Sequence, residues 1–458
     1  KKIYAVLLAL MLVLSGCSGN VGKDNTEAGE IKLDNERLVK EFTGTVNIFH
    51  RAGDELLLST EEGDYFKYYD VNIGSTEVKD SQLTEMADKY IYYEPVGSSG
   101  FLLVEELDSM NTLKFMGKDG AEKVIAEDIG PADSINISIS PKGGKLAYTS
   151  RIEGSDVYGI YVYDTATSKS SKIMDIQSDG LIEGFSYLIS WSPDEKSIII
   201  HDKYIYDTGT GMQIGEIKSA YSEWSPSGTK IAFILDDGSE PWLPTADYQI
   251  YPGKKVCVYD IAKGSYDVVF TVEGEEYIFG GVTWGGNDSL LAFPGVKVKD
   301  INQQDWYMKL NYSSLYIVGM DGGKSKRIET NADASDGSMI ELTNIKFSDT
   351  GRLLSFTVGN YEKSVLNIVN TSTLEAKSYE NTEYLHWIDG ENFTIAAAGD
   401  RMYFSSDNSI MVVDDKLQEK NIYKSIAKLD DFYLSEAGIG IMIFELADNI
   451  HTARYIGQ

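Results

Sequence analysis

The stretch WSPSGTKIAF, Trp224 to Phe233, decides how this chain is read. It places a serine, a proline and a glycine together in the manner of a nucleophile turn, and then runs directly into an apolar segment. The phrase recurs. ISISPKGGKLAYTS (Ile137 to Ser150), LISWSPDEKSIIIH (Leu188 to His201) and SEWSPSGTKIAFIL (Ser222 to Leu235) each hold an alternating strand, a Ser-Pro turn and a second apolar strand. Weaker copies are GVTWGGNDSLLAF (Gly281 to Phe293), NIKFSDTGRLLSF (Asn344 to Phe356) and YLHWIDGENFTIA (Tyr384 to Ala396). NIFHRAGDELLLS (Asn47 to Ser59) and YYEPVGSSGFLLV (Tyr92 to Val104) keep the form without the full wording.

A second word follows each copy: an alternating strand, a short polar turn and another strand. It is marked in turn by Asp70, Gly117, Asp164, Asp207, Asp260, Gly319, Asn370 and Asp414. Steps between marks run from 43 residues (Asp164 to Asp207) to 59 (Asp260 to Gly319). Each period therefore holds two hairpins, or four strands, and repeats of this length signal propeller blades. Composition agrees. In 458 residues there are 30 Tyr and 43 Gly but only 9 Pro, which favours many short strands joined by glycine-bearing turns.

The Ser-Pro-Asp/Ser/Lys-Gly/Glu-x-Lys phrase, with a following strand that ends Tyr-x-Tyr-Asp, resembles the TolB-like and WD-type families of β-propeller repeats over roughly Thr45 to Tyr423. The resemblance implies architecture and says little about chemistry. The expected fold is all-β, a single propeller of eight four-stranded blades, with seven to nine as the bounds. ERLVKEF (Glu36 to Phe42) and the C-terminal strands in Asp430 to Leu446 and Thr452 to Ile456 are expected to close the ring or complete its last blade.

The N-terminus has the layout of an export signal: Lys1 and Lys2, an apolar run from Ile3 to Leu14, then Leu14-Ser15-Gly16-Cys17. These four residues resemble the lipobox of bacterial lipoproteins, which implies cleavage before Cys17 and acylation of that cysteine. Several acyl chains on one residue give stable attachment where one is marginal. The expected division is a lipoprotein signal peptide at 1–16, the lipidated Cys17 with a flexible tether at 17–35, and the propeller at 36–458. The expected location is the extracytoplasmic face of the cell membrane.

Formal charge is −30, from 41 Lys and Arg against 71 Asp and Glu. Such a surface repels nucleic acid, anionic lipid headgroups and polyanionic wall polymers. The expected partners are an envelope protein, peptide or glycan, with the membrane reached through the lipid anchor and no nucleic acid. With Cys17 acylated, Cys257 in KKVCVYD has no intramolecular disulfide partner and reads as a buried thiol.

Catalytic readings mostly fail. Ser140, Ser192 and Ser225 recur without a histidine at any fixed offset, and the four histidines, His50, His201, His386 and His451, are scattered. A turn reading fits: Pro presets φ and the serine caps the bend. GMDGGKS (Gly319 to Ser325) is one residue short of a phosphate loop, and GTGMQIG lacks dinucleotide spacing; both read as hairpin turns. NADASDGS (Asn331 to Ser338) sets Gly337 one place late for a calcium loop. No metal and no cofactor are expected.

The repeat swells in two neighbouring units, at Asp236 to Lys255 and Pro294 to Ser314. These loops carry the candidate binding residues Trp242, Tyr248, Tyr251, Trp306 and Tyr307, among aspartates. Aromatic and acidic rims suit sugar faces, cations or a peptide. The expected function is a non-catalytic binding or scaffold module; the alternative is a propeller-fold lyase or glycosidase with an acidic and aromatic axial site.

Overall fold

The computed structural model describes residues 36–457, apart from the segments 44–45, 53, 63–64, 87–88, 97–98, 108–109, 131–135, 153–154, 156, 177–188, 237–242, 245–248, 251–252, 303–306, 331–340, 360–363, 382–393, 407, 426–427, 436–439 and 448–449. The chain divides into two units, Glu30–Gly215 with Tyr433–Gln458, and Glu216–Phe432. Both are built from antiparallel sheets of propeller-blade type, most of them with four strands in chain order.

In the first unit the blades occupy residues 46–80, 92–126, 137–176 and 189–216 (blades 1 to 4). A further sheet pairs Arg37–Thr43 with Ile450–Gly457, followed by Gly440–Ala447 and Lys428–Leu434. In the second unit blades 5 to 8 occupy 219–271, 276–329, 341–381 and 395–424. The described residues therefore form nine blades rather than eight. The terminal segments do not patch an existing blade. Arg37–Thr43 pairs along its length with Ile450–Gly457, from Arg37↔Tyr455 to Thr43↔Ile450, and so completes a separate sheet.

Within each unit, consecutive blades bury their apolar faces against each other. Leu102, Val104 and Leu113 of blade 2 pack with Leu146, Tyr148 and Tyr163 of blade 3; Ile160 and Val162 of blade 3 pack with Ile198 and Ile200 of blade 4. In the other unit, Ile234 and Val256 meet Leu291 and Phe293, and Ala292 and Ile317 meet Leu354 and Phe356. Each fully buried side chain of this size contributes about 1.5–3 kcal/mol, which is why one hairpin cannot stand alone and a stacked series can.

The recurring phrase supplies three of the devices that hold this packing. Its serine is buried in every copy seen: Ser140, Ser192, Ser225 and Ser348. Each serine Oγ accepts the amide N–H five residues on, from Lys145, Ser197, Lys230 and Leu353, at 2.9–3.2 Å. A fifth copy without proline stands in the closing blade, where Gly440 N–H donates to Ser435 Oγ at 3.1 Å. These serines are turn caps, and their burial keeps them from substrate.

The tryptophan that precedes the turn reaches the preceding blade. Trp191 Nε1 donates to Ser138 Oγ at 3.0 Å, and Trp284 Nε1 to the Glu223 carbonyl at 3.1 Å. The fourth residue of the phrase has positive φ, which glycine adopts freely: Gly143 (68°), Gly228 (72°) and Gly351 (74°). Blade 4 has Glu195 there at 60°. The strain is of order 1 kcal/mol, and the gain is visible. The Glu195 carboxylate accepts the Ser140 hydroxyl at 2.7 Å and the Lys142 amide at 2.8 Å, clamping the turn of blade 3. Asp288 does the same for Ser227, and Asp400 for Thr350 and Arg352.

Candidate functional site

Blades 5 and 6 depart most from the repeat. In blade 5 the chain leaves strand Lys230–Leu235 and returns at strand Lys255–Asp260; between them Leu243–Pro244 pairs with Gln249–Ile250 in a small ribbon. The return is tied to blade 6. Ile278 N–H donates to the Gly253 carbonyl at 2.8 Å and Gly253 N–H to the Ile278 carbonyl at 3.2 Å. A Cβ on Gly253 would overlap the Ile234 side chain, so the close approach needs glycine. Lys254 Nζ donates to the Gly274 carbonyl at 2.6 Å and sits 4.6 Å from the centroid of the Tyr277 ring.

Blade 6 answers with a long hairpin. Leu290–Asn302 and Tyr307–Gly319 have 13 residues each and pair from Leu290↔Gly319 out to Asn302↔Tyr307. The first strand is split to follow it: Thr283–Gly285 pairs with the near half and Glu276–Ile278 with the part beyond. Gly280 and Gly281, at φ 89° and 103°, make the step between the pieces.

At the root of the hairpin lies a buried carboxylate, Glu276, 6% exposed. It accepts the Ser313 hydroxyl at 2.6 Å, the Tyr316 hydroxyl, and Arg327 Nη2 at 2.6 Å. Burial by itself raises such a carboxyl; the two hydroxyls and the guanidinium outweigh it and hold the group at about 2. Three strands thus converge on one charge. Phe270 of blade 5 closes the cluster, its ring 5.2 Å from Phe293 and 4.9 Å from Tyr316. Chemically this is a brace, because every oxygen of Glu276 already has donors.

Of the candidate binding residues, the hairpin places Tyr307 opposite Asn302 at its far end. Trp242, Tyr248, Tyr251 and Trp306 lie outside the described residues, as do Cys17, the tether and the segment with Asn331, Asp333 and Asp336. The Gly253–Ile278 bridge ties the end of the first insertion to the strand that pairs with the root of the blade 6 hairpin. Cys257 is buried, as expected. Gly319 ends a strand and Lys326 begins the next, so GMDGGKS is a hairpin turn. Among the described residues no group of three or more His, Cys, Asp or Glu is placed to hold a metal ion.

Two clusters escaped the sequence reading. The Glu276 brace draws on Arg327, 51 residues away, and no short pattern announces it. The other is on the first strand of blade 2, Tyr92–Val96, where the Tyr92 hydroxyl donates to Glu94 Oε2. Both side chains are half-buried. Burial pushes the Glu94 carboxyl up, against the opposing effect of the Tyr92 hydrogen bond, and pushes Tyr92 well up as well. The available signal was a charged residue in a strand whose neighbours in YYEPV are aromatic or apolar.

No family model matches the chain, and no curated protein matches it either. Solved structures do. An oligogalacturonate lyase in complex with manganese is similar at 11% identity and TM-score 0.38, over 80% of this chain and 97% of that one. TolB from Acinetobacter baumannii is similar at 17% identity and TM-score 0.30, over 71% and 79%. The β-propeller domain of the Trilobed protease from Pyrococcus furiosus is similar at 17% identity and TM-score 0.34, over 84% and 97%. At such scores none of them bears on what this chain does.

Proposed function

We propose that this chain is a lipid-anchored extracytoplasmic β-propeller that acts as a non-catalytic protein- or ligand-binding module at the cell envelope. The observation that carries the binding role is the braced pair of extensions on blades 5 and 6. A 13-residue hairpin held at its root by an ion pair to a buried carboxylate, with its first strand tied to the neighbouring insertion by a two-bond bridge, gives the two insertions a fixed base. Rigid aromatic anchors lose little entropy on binding and carry much of an interface's affinity. The anchor rests on the lipobox at Leu14 to Cys17.

Replacing Trp242 and Trp306 together by Ala is expected to weaken capture of an envelope partner, in crosslinked pull-downs from intact cells, by about 2 kcal/mol or more, while the thermal transition moves little. A large loss of stability would mean instead that the two aromatics pack their own loops. Replacing Cys17 by Ala is expected to move the protein out of the membrane fraction; unchanged fractionation would overturn the anchor.

A further inference from the structure

Pairing and alternation give the blade 6 hairpin two unlike faces. From Val296 outward, the register sets Val296 opposite Tyr312, Val298 opposite Leu310 and Ile301 opposite Met308. Between these pairs fall Lys297 with Asn311, Asp300 with Lys309, and Asn302 with Tyr307. Lys299 is left out of the pairing by a bulge. Successive residues of a strand belong to opposite faces, so one face of the ribbon holds Val296, Val298, Ile301, Met308, Leu310 and Tyr312, and the other is polar.

The apolar face is on the side of blade 7. Tyr312 packs with Leu342 and Val358, which pair with each other beside the last described pair of that blade, Glu341↔Gly359. The hairpin runs on from Tyr312 to Tyr307, about 17 Å at the rise of a strand. Val298, Ile301, Met308 and Leu310 thus stand past the end of the described pairing of blade 7. A ribbon of two strands is marginal in water unless its apolar face is covered.

Three features select a bilayer as the cover. Four side chains fall short of the roughly 800 Å² that each partner contributes to a stable protein interface, whether with another protein or a second copy. With Cys17 anchored, residues 18–35 form a tether that spans about 23 Å on average and about 60 Å at most. A second contact with the same membrane then forms at an effective concentration on the order of millimolar, so a small face suffices. Charge is the third feature. The chain as a whole, at −30, is repelled by anionic headgroups, but residues 294–314 carry Lys297, Lys299 and Lys309 against Asp300 and Asp305. The projection past blade 7 is also about twice the Debye length at physiological salt, which screens the ribbon from the acidic body.

We propose that this face of the hairpin lies on the bilayer that holds the protein. Val298, Ile301, Met308 and Leu310 enter the boundary between headgroups and acyl chains, and the polar face stays in water. The proposal rests on the anchor at Cys17 and adds to it a second, reversible membrane contact made by the fold itself.

The test uses the chain from Cys17 onward, which keeps every described strand. Its Cys17 thiol is coupled to a maleimide lipid in phosphatidylcholine vesicles, a reaction from which Cys257 is shielded by burial. The comparison is the same chain capped with N-ethylmaleimide and mixed with plain vesicles. Amide hydrogen exchange in residues 298–311 is expected to slow about tenfold on coupling, with blades 7 and 8 unchanged. Leu310→Ser should abolish the slowing, and Lys309→Gln, on the opposite face, should leave it. If Leu310→Ser loses the hairpin in the capped form, the wild-type comparison decides. The proposal is overturned if coupling leaves the hairpin unchanged, if all blades slow alike, or if Leu310→Ser slows as wild type does. Slowing that appears without vesicles as protein concentration rises would also overturn it and assign the face to a second copy. Because the maleimide lipid supplies the tether, these outcomes are independent of acylation in the cell, which fractionation of Cys17→Ala reads separately.

Discussion

Replacing Arg327 by Ala is expected to lower the unfolding free energy by about 1–3 kcal/mol, because it leaves the buried Glu276 carboxylate without the cation that reaches it from the exposed face. The hydroxyls of Ser313 and Tyr316 remain but do not neutralise it. Denaturant titration at neutral pH measures the loss directly. The pH dependence gives a second reading. Glu276 is held at about 2, below the ordinary 4.5, so its contribution is fully present above about pH 4.5 and drains away as pH falls towards 2. The size is about 3 kcal/mol across that window. Glu276→Gln should flatten this part of the acid limb, since glutamine does not titrate; an unchanged acid limb would contradict the brace. Because the ion pair joins Glu276–Ile278 to Lys326–Glu329, its loss should also loosen the hairpin that carries Tyr307 and weaken partner capture.

Gly285→Ala is expected to cost about 3 kcal/mol, although it adds a single methyl group. A Cβ at Gly285 would overlap the ring of Phe347, the aromatic residue that precedes the turn serine of blade 7. Phe347 is buried among Ala292, Leu315 and Leu354, so its ring cannot simply swing away. The two blades must part or the ring must leave its rotamer. A double-mutant cycle with Phe347→Leu checks the cause: the smaller side chain should be cheaper in the Gly285→Ala background than in wild type, and strict additivity would exclude the clash. The same geometry accounts for the imperfect wording of this copy. At Trp284-Gly285-Gly286 the Ser-Pro pair is missing, and Gly286, Asn287 and Asp288 all have positive φ, from 50° to 66°. Proline, locked near −65°, cannot enter that turn, and serine would meet the Phe347 ring.

Much of the architecture was legible because its causes are short-range. The serine cap spans five residues, and the bend in the second word is an Asx turn within three or four: Asp164 Oδ1 accepts the Thr167 amide at 2.7 Å and Asp207 Oδ1 the Thr210 amide at 2.7 Å. Such bonds leave a residue pattern wherever they occur, so blades 1 to 8 could be marked out by reading alone. The closing blade was harder. Its phrase keeps Ser435 but drops the proline, and its fourth strand, Arg37–Thr43, comes from the other end of the chain.

The candidate site divides in the same way. The positions of the two long loops were visible as interruptions of a known period, and the structure ties the end of the first to the split strand of blade 6 through Gly253 and Ile278. The brace under the hairpin and the isolated carboxyl of blade 2 were not visible. Alternation says that a strand residue points to one face; it does not say what charge the neighbouring strand or blade sets against it. Sequence by itself determined the repeat, the turn chemistry and the resemblance of Leu14 to Cys17 to a lipobox, all of which depend on residues a few places apart. Tertiary structure alone decided that Glu276 is neutralised by Arg327 while Glu94 is left with a tyrosine. A carboxylate's role depends on burial and on the nearest cation, and both are set by strands that lie far away in the chain.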